Sequence, residues 1–226
     1  ISYPSEQDRE QASAWGLNPG GSIMIHGLPN DVGDLAFAYS GLDWTNGCIA
    51  VTNEEMDEIW QNANTIRTEK IISGENPAAA EVRTMWDENY LYLYAEVTDP
   101  ALSLAGEQAH EEDSVEIFVD ENNDKATEYQ SDDTQYRINY LNQQSFNPQR
   151  EGLKSATRVT ETGYVVEAAV PFVEITAEAG QIIGFDFQVN DDSNGDGARD
   201  GVSIWNDESG EGWRNMSGLG NLIFVK

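Results

Sequence analysis

The sequence predicts a mainly β protein, an antiparallel β-sandwich of jelly-roll type preceded by a small α+β segment. Three observations carry that prediction. From about Glu81 to the C-terminus, polar and apolar residues alternate in short runs. Those runs are rich in aromatic and β-branched residues, which suit a pleated, half-buried surface. Clusters of Gly, Asn and Asp separate them, and no long helical pattern intervenes. Repeated short strands joined by turn-forming residues stack as antiparallel sheets.

The first fifty residues read differently from the rest. Residues 5–15 (SEQDREQASAW) form a polar helix, acidic in its first turn. Residues 22–27 (SIMIHG) read as a buried strand that delivers His26 at its end. A short helix is expected over 33–41, and residues 45–51 (TNGCIAV) return as a turn and strand. Met56, Ile59 and Trp60 fall at helical spacing, so 54–60 is a short helix or turn. There is no internal repeat and no Pro- or Ser-rich linker. The division into residues 1–50 and 51–226 therefore rests on the change of pattern alone.

Within the second part, residues 82–86 lead through a turn at Asp87-Glu88-Asn89 into a strand over 90–97. Further strands are expected at 114–119, 135–141, 155–161, 164–170, 183–190, 202–205 and 221–225. In the runs 113–123 and 135–140 the alternation puts Glu116, Arg137 and Asn139 on one sheet face. An acceptor, a forked donor and an amide side by side are what recognition of a sugar hydroxyl array requires.

Forty-one acidic residues against twelve basic ones leave a formal net charge of −29. Such a chain cannot neutralise phosphates, which excludes a nucleic-acid binder, and it is repelled by an anionic membrane surface. Self-repulsion of this size is relieved by bound cations, so calcium is expected, although an acid-rich soluble surface accounts for the charge equally well. No run of 18 apolar residues is present, so no membrane insertion is expected. Residues 1–5 lack the basic and apolar regions of a signal peptide. The acidity and the sugar-type face point to an extracellular or cell-surface location.

Two segments carry oxygen ligands at close spacing. Asp120, Asn122 and Asp124 form an acidic run after the 114–119 strand, and Asp192, Asn194 and Asp196 read D-x-N-x-D-G. The latter is the opening of an EF-hand loop, but its twelfth position is Ser203 rather than Glu, so a complete EF-hand is excluded. Both segments are equally compatible with solvated turns. With two histidines and one cysteine in the chain, a zinc site is not expected.

Cys48 is the only cysteine, so no internal disulfide forms. A strand-end His26 and a turn presenting Gly47-Cys48 have the makings of a base and nucleophile, with free amides for an oxyanion. Against that stands the ordinary role of a lone cysteine as a buried packing residue.

Residues 1–4 (ISYP), 19–21 (PGG), 23–29 (IMIHGLP) and 43–53 (DWTNGCIAVTN) resemble the C-terminal half of an L,D-transpeptidase catalytic domain. The resemblance implies Cys48 as nucleophile, His26 as supporting imidazole and Gly47 in the oxyanion turn, acting on peptidoglycan. The family often has Ser-His where Thr45-Asn46 stand and Arg where Ala50 stands. Its earlier strands have no counterpart here, so the segment is expected to be incomplete.

From about residue 50 onward the chain resembles a family 9 carbohydrate-binding module, of the type attached to xylanases. The resemblance runs through 56–60 (MDEIW), 86–92 (WDENYLY), 113–123 (DSVEIFVDENN), 135–140 (QYRINY), 163–169 (GYVVEAA), 183–191 (IGFDFQVND), 205–207 (WND), Trp213 and 220–222 (GNL). It implies a calcium-containing sandwich that grips the reducing end of a glucan or xylan chain between two aromatic rings. Carried over, Trp213 is one ring, Glu116, Arg137 and Gln188 bind hydroxyls, and Asn139 supports them. His110 stands where the second ring is a tryptophan, which weakens stacking. The expected partner is thus a polysaccharide or oligosaccharide, and the expected setting a larger glycoside hydrolase or cell-wall protein. The two resemblances meet on residues 53–60, as in a fusion, with 46–52 expected as the module's first strand. The alternative is a cysteine-dependent transpeptidase targeted by the sugar-binding part.

Overall fold

The computed structural model describes residues 11, 13–14, 25–26, 49–50, 58–148 and 150–225. The chain divides into two compact units, Ile1–Ala63 and Asn64–Lys226.

In the first unit, strand β1 (Ile25–His26) pairs in parallel with β2 (Ile49–Ala50), so that Ile25 lies opposite Ile49 and His26 opposite Ala50. Residues 11, 13 and 14 are helical, within the helix expected over 5–15. Residues 58–61 close a helical turn in which Asn62 Nδ2 donates to the Glu58 carbonyl at 2.9 Å. Gly47, Cys48 and the helix expected over 33–41 lie outside the described residues.

The second unit contains two antiparallel sheets. One has the order β10 (Lys154–Val159), β11 (Gly163–Pro171), β6 (Tyr90–Thr98), β5 (Ala79–Trp86), β3 (Asn64–Arg67). The other runs β4 (Lys70–Ser73), β13 (Gly201–Ile204), β12 (Ile182–Asp191), β7 (Ser114–Asp120), β8 (Asp133–Asn139), β9 (Gln144–Asn147), with β14 (Gly220–Ile223) paired to β12. Val82, Leu91, Leu93 and Val166 of the first sheet join Val115, Ile117, Tyr136, Phe185 and Phe187 of the second in one core. Each such side chain contributes about 1.5–3 kcal/mol on burial, which holds the two-layer arrangement together.

Strand β7 is buried at all seven positions. Val115, Ile117 and Val119 enter the core. Its alternate residues, Ser114, Glu116, Phe118 and Asp120, occupy the opposite face of the sheet. The segment 205–219 covers part of that face: Phe118 packs with Met216 and Leu219, and Tyr129 packs against them. A 3-10 turn at Met216–Gly218 fixes this cover, with Asn215 Oδ1 accepting from the Ser217 amide at 2.9 Å.

The expected strands from 82 onward are all present, with ends shifted by a few residues. Strands β3, β4 and β9 were not expected from the sequence. Each terminates a sheet, where only one flank is paired and exposed residues break the apolar alternation. The strand expected over 46–52 appears as β2, which pairs with β1. The two sheets of the sandwich begin instead with β3 at Asn64.

Candidate functional site

Register assembles the site. Glu116 on β7 faces Arg137 on β8 and Gln188 on β12, so three of the residues singled out in the sequence form one row across three strands. The next row brings Ser114 between Asn139 and Asn190. Glu116 is 2% exposed and lies at the centre of the network. Its Oε1 accepts from Arg137 Nε at 2.9 Å and from Asn190 Nδ2 at 2.8 Å, while Oε2 accepts from Gln135 Nε2. Arg137 Nη2 completes the ion pair at 2.9 Å and Nη1 donates to Ser145 Oγ at 3.0 Å.

Glu116 organises the donors around it, and its Oε2, which accepts only from Gln135 among the described residues, keeps a lone pair for a ligand hydroxyl. The amide oxygens of Gln135 and Gln188 and the remaining N–H groups of the Arg137 guanidinium are further groups able to meet a ligand. Asn139 is buried and braces a loop: Oδ1 accepts from the amides of Leu141 (3.1 Å) and Gln143 (2.9 Å), and Nδ2 donates to Glu112 at 3.0 Å.

Trp213 is 53% exposed, so its indole is not a core side chain. Its loop is nonetheless fixed. Asn147 Nδ2 donates to the Trp213 carbonyl at 3.2 Å, Tyr129 Oη to the Gly212 carbonyl at 2.8 Å, and the Arg214 guanidinium lies 5.3 Å from the indole centroid. Gly212 allows the loop to close onto the sheet, since a Cβ there would sit 3.3 Å from the Phe118 ring. Phe118 and Asn147 both pair with Gln135, so the tryptophan loop is anchored on the row next to Glu116. His110 is half-buried in the loop that enters β7 from its Ser114 end.

Three residues of this network escaped the sequence reading: Gln135, Asn190 and Arg199. Gln135 shares the alternation that pointed to Arg137, two positions away on the same strand, and Asn190 lies two positions beyond Gln188, which the family resemblance supplied. Arg199 comes from the 192–200 loop, and its Nη1 reaches Asn190 Oδ1 at 2.9 Å.

The oxygen-rich segments are arranged differently from expectation. Only Asp120 of the six residues named in the sequence stands in a carboxylate cluster, together with Asp132 and Asp133. Asn122 Oδ1 instead accepts from the Asp124 amide at 2.7 Å, and Asp124 Oδ1 from the Ala126 amide at 2.9 Å. In the other segment Asp192 accepts from the Gly195 and Gly197 amides, each at 3.1 Å. Asn194 accepts from Asp196 and Asp196 from Ala198. These are turns closed by their own side chains. A second cluster gathers one residue earlier, where Asp191 meets Asp99 and Asp113.

Both clusters fit a hard cation. In each, ligand oxygens lie within 4.8 Å of one another and all three carboxylates are buried. Asp99 Oδ2, Asp191 Oδ1, Asp120 Oδ1 and Asp133 Oδ1 are buried without a hydrogen-bond partner, as oxygens awaiting an ion would be. Burial pushes the Asp113 carboxyl up to about 7 and Asp133 up to about 6, and the neighbouring carboxylates add to both. Gly184 leaves room for the Asp120, Asp132 and Asp133 cluster: a Cβ there would come within 2.9 Å of Asp120 Oδ2.

The geometry agrees with the comparisons to known proteins. The family described as Carbohydrate family 9 binding domain-like matches residues 53–226. The chain belongs to this family. Among curated relatives, endo-1,4-beta-xylanase C of Paenibacillus barcinonensis is 46% identical over 172 residues, covering 75% of this chain and 16% of that protein. Endo-1,4-beta-xylanase A of Thermoanaerobacterium saccharolyticum is 48% identical over 177 residues, covering 77% and 15%. The chain thus spans about a sixth of the length of these relatives. A carbohydrate binding module family 9 from Caldicellulosiruptor kristjanssonii, solved with glucose, superposes with a TM-score of 0.69 at 36% identity, over 74% of this chain and 87% of that one. A module from the same organism solved with cellotriose gives 0.71 at 32% identity, over 90% and 93%. The L,D-transpeptidase catalytic domain family matches residues 2–85, overlapping the first match over 53–85. Residues 64–85 of the overlap carry β3, β4 and most of β5 of the sandwich.

Proposed function

We propose that this module captures gluco- or xylo-configured oligosaccharide ends of plant-type polysaccharide without chemically altering them. The observation that carries this reading is the Arg137–Glu116–Gln188 row, a fixed donor and amide array beside an exposed indole. Pre-set polar groups orient a sugar ring, and Trp213 supplies apolar area for its C–H face. The relatives' xylanase names and the glucose- and cellotriose-bound neighbours support the same ligand class. They also support a place in a larger secreted glycoside hydrolase, where the module would keep a catalytic domain on its substrate. Calorimetric titration with cellotriose and xylotriose tests this. Binding is expected in the native protein, and Trp213→Ala removes about 100 Å² of stacking area, about 2–3 kcal/mol, a loss on the order of 50-fold. Flat titrations with both sugars overturn it.

Calcium belongs to the same proposal. Asp99, Asp113 and Asp191 would hold one ion and Asp120, Asp132 and Asp133 another, each tying loop segments to strand ends. The support is the four orphaned carboxylate oxygens.

A second reading concerns residues 2–63. The match to the transpeptidase family and the register that sets His26 opposite Ala50, two residues after Cys48, favour a cysteine acyl-transfer centre. Incubation with a carbapenem followed by intact mass measurement tests it: an adduct abolished by Cys48→Ala supports it, and an unchanged mass rejects it.

A further inference from the structure

Two guanidinium groups reach the polar row, and only one is neutralised. Arg67, Arg83, Arg137 and Arg214 each have a carboxylate partner. Arg199 has none among the described residues, as is also true of Arg150 and Arg158, but Arg199 alone of these three bonds to the polar network around Glu116. Its one hydrogen bond runs from Nη1 to Asn190 Oδ1 at 2.9 Å. That amide oxygen also accepts from Gln188 at 2.8 Å, and Asn190 Nδ2 donates to Glu116, so Arg199 is wired to the centre of the site.

The carboxylates nearest the polar row make hydrogen bonds elsewhere, and none forms an ion pair with Arg199 among the described residues. Glu116 accepts from Arg137, Asn190 and Gln135. Glu111 accepts from the Gln108 amide at 2.9 Å, and Glu112 from Asn139 at 3.0 Å. Desolvation by its neighbours lowers the Arg199 pKa and Arg137 reinforces that, while Glu116 and Glu111 oppose it, so this exposed cation stands beside a second cation at the edge of the site. The Arg199 side chain is exposed, and four of its guanidinium N–H groups are unused among the described residues, so they are available to a ligand carboxylate.

We propose that Arg199 makes this site selective for an acidic sugar, with the carboxylate of a hexuronate residue forming a forked pair with its guanidinium while Arg137, Gln188 and Trp213 hold the ring. The inference rests on the saccharide reading above and narrows it to a ligand class. The distant acids of the chain do not oppose it, because charge beyond about 8 Å is screened at physiological salt.

The test is titration of the full chain with D-glucose and D-glucuronate, which differ only at C6, in low salt and in 0.5 M sodium chloride. Glucuronate is expected to bind at least tenfold more tightly than glucose. The preference should shrink in high salt, disappear in Arg199→Gln and survive in part in Arg199→Lys. Glucose binding equal to or tighter than glucuronate overturns this inference and leaves the saccharide reading standing, as does a glucuronate preference that persists in Arg199→Gln. No binding of either sugar, or of cellotriose, overturns both.

Discussion

Removing calcium is expected to destabilise the sandwich by several kilocalories per mole, and the size follows from the two aspartate clusters. Ligand oxygens in each lie no more than 4.8 Å apart. At an effective dielectric of about 20, two unit charges at that distance repel by about 3.5 kcal/mol, so three ionised carboxylates store about 10 kcal/mol. A divalent cation between them reverses the sign of that contribution. If free calcium exceeds the dissociation constant a hundredfold, each site adds about 2.7 kcal/mol of stability, or about 5 kcal/mol for both. In a domain of this size that corresponds to about 10–20 °C in melting temperature. The assay is a thermal melt at pH 7.5 in 2 mM calcium chloride and in EDTA, with native mass spectrometry to count ions at the two clusters. Gly184→Ala is the local control: its Cβ would meet Asp120 Oδ2 at 2.9 Å, so it should remove one ion and spare the Asp99, Asp113 and Asp191 site. Equal melting temperatures in the two buffers, with no bound metal, would refute the reasoning.

Two other predictions concern buried charge. Arg137→Met leaves Glu116, 2% exposed, without its cationic partner; it should cost about 3–5 kcal/mol in denaturant unfolding as well as abolishing sugar binding, and unchanged stability would show that the pair is not structural. Burial pushes Asp186 up to about 6 from its ordinary 3.8. The folded protein therefore holds a proton there that the unfolded chain releases, and this contribution to stability falls by about 3 kcal/mol as pH rises from about 4 to about 6. Asp186→Asn should flatten that part of the stability–pH profile measured in saturating calcium, and an identical slope in the variant would contradict the assignment.

Much of the fold was legible because the central strands obey a simple rule. The alternation in residues 113–123 and 135–140 put Glu116 and Arg137 on one face before any coordinates, the family resemblance added Gln188, and register then brought the three together. Edge strands were hidden because one unpaired flank relaxes the demand for apolar residues, as in Gln144-Ser145-Phe146-Asn147. The metal clusters were hidden for another reason. Their members are far apart in sequence, Asp99 with Asp191 and Asp120 with Asp133, whereas the dense Asp and Asn runs that drew attention use their side chains to close local turns. Arg199 was missed because a loop residue has no alternation to reveal its direction, and only its bond to Asn190 does so.

The most direct test of the account is a cellotriose titration followed by NMR, observing the Trp213 indole N–H, the Arg137 Nε–H and the side-chain amides of Gln135, Gln188 and Asn190. The account predicts that these five signals shift together and saturate at one equivalent, while amides on the outer face of the five-stranded sheet stay still. Saturable shifts confined to that other sheet, or none at the indole and Arg137, would contradict it.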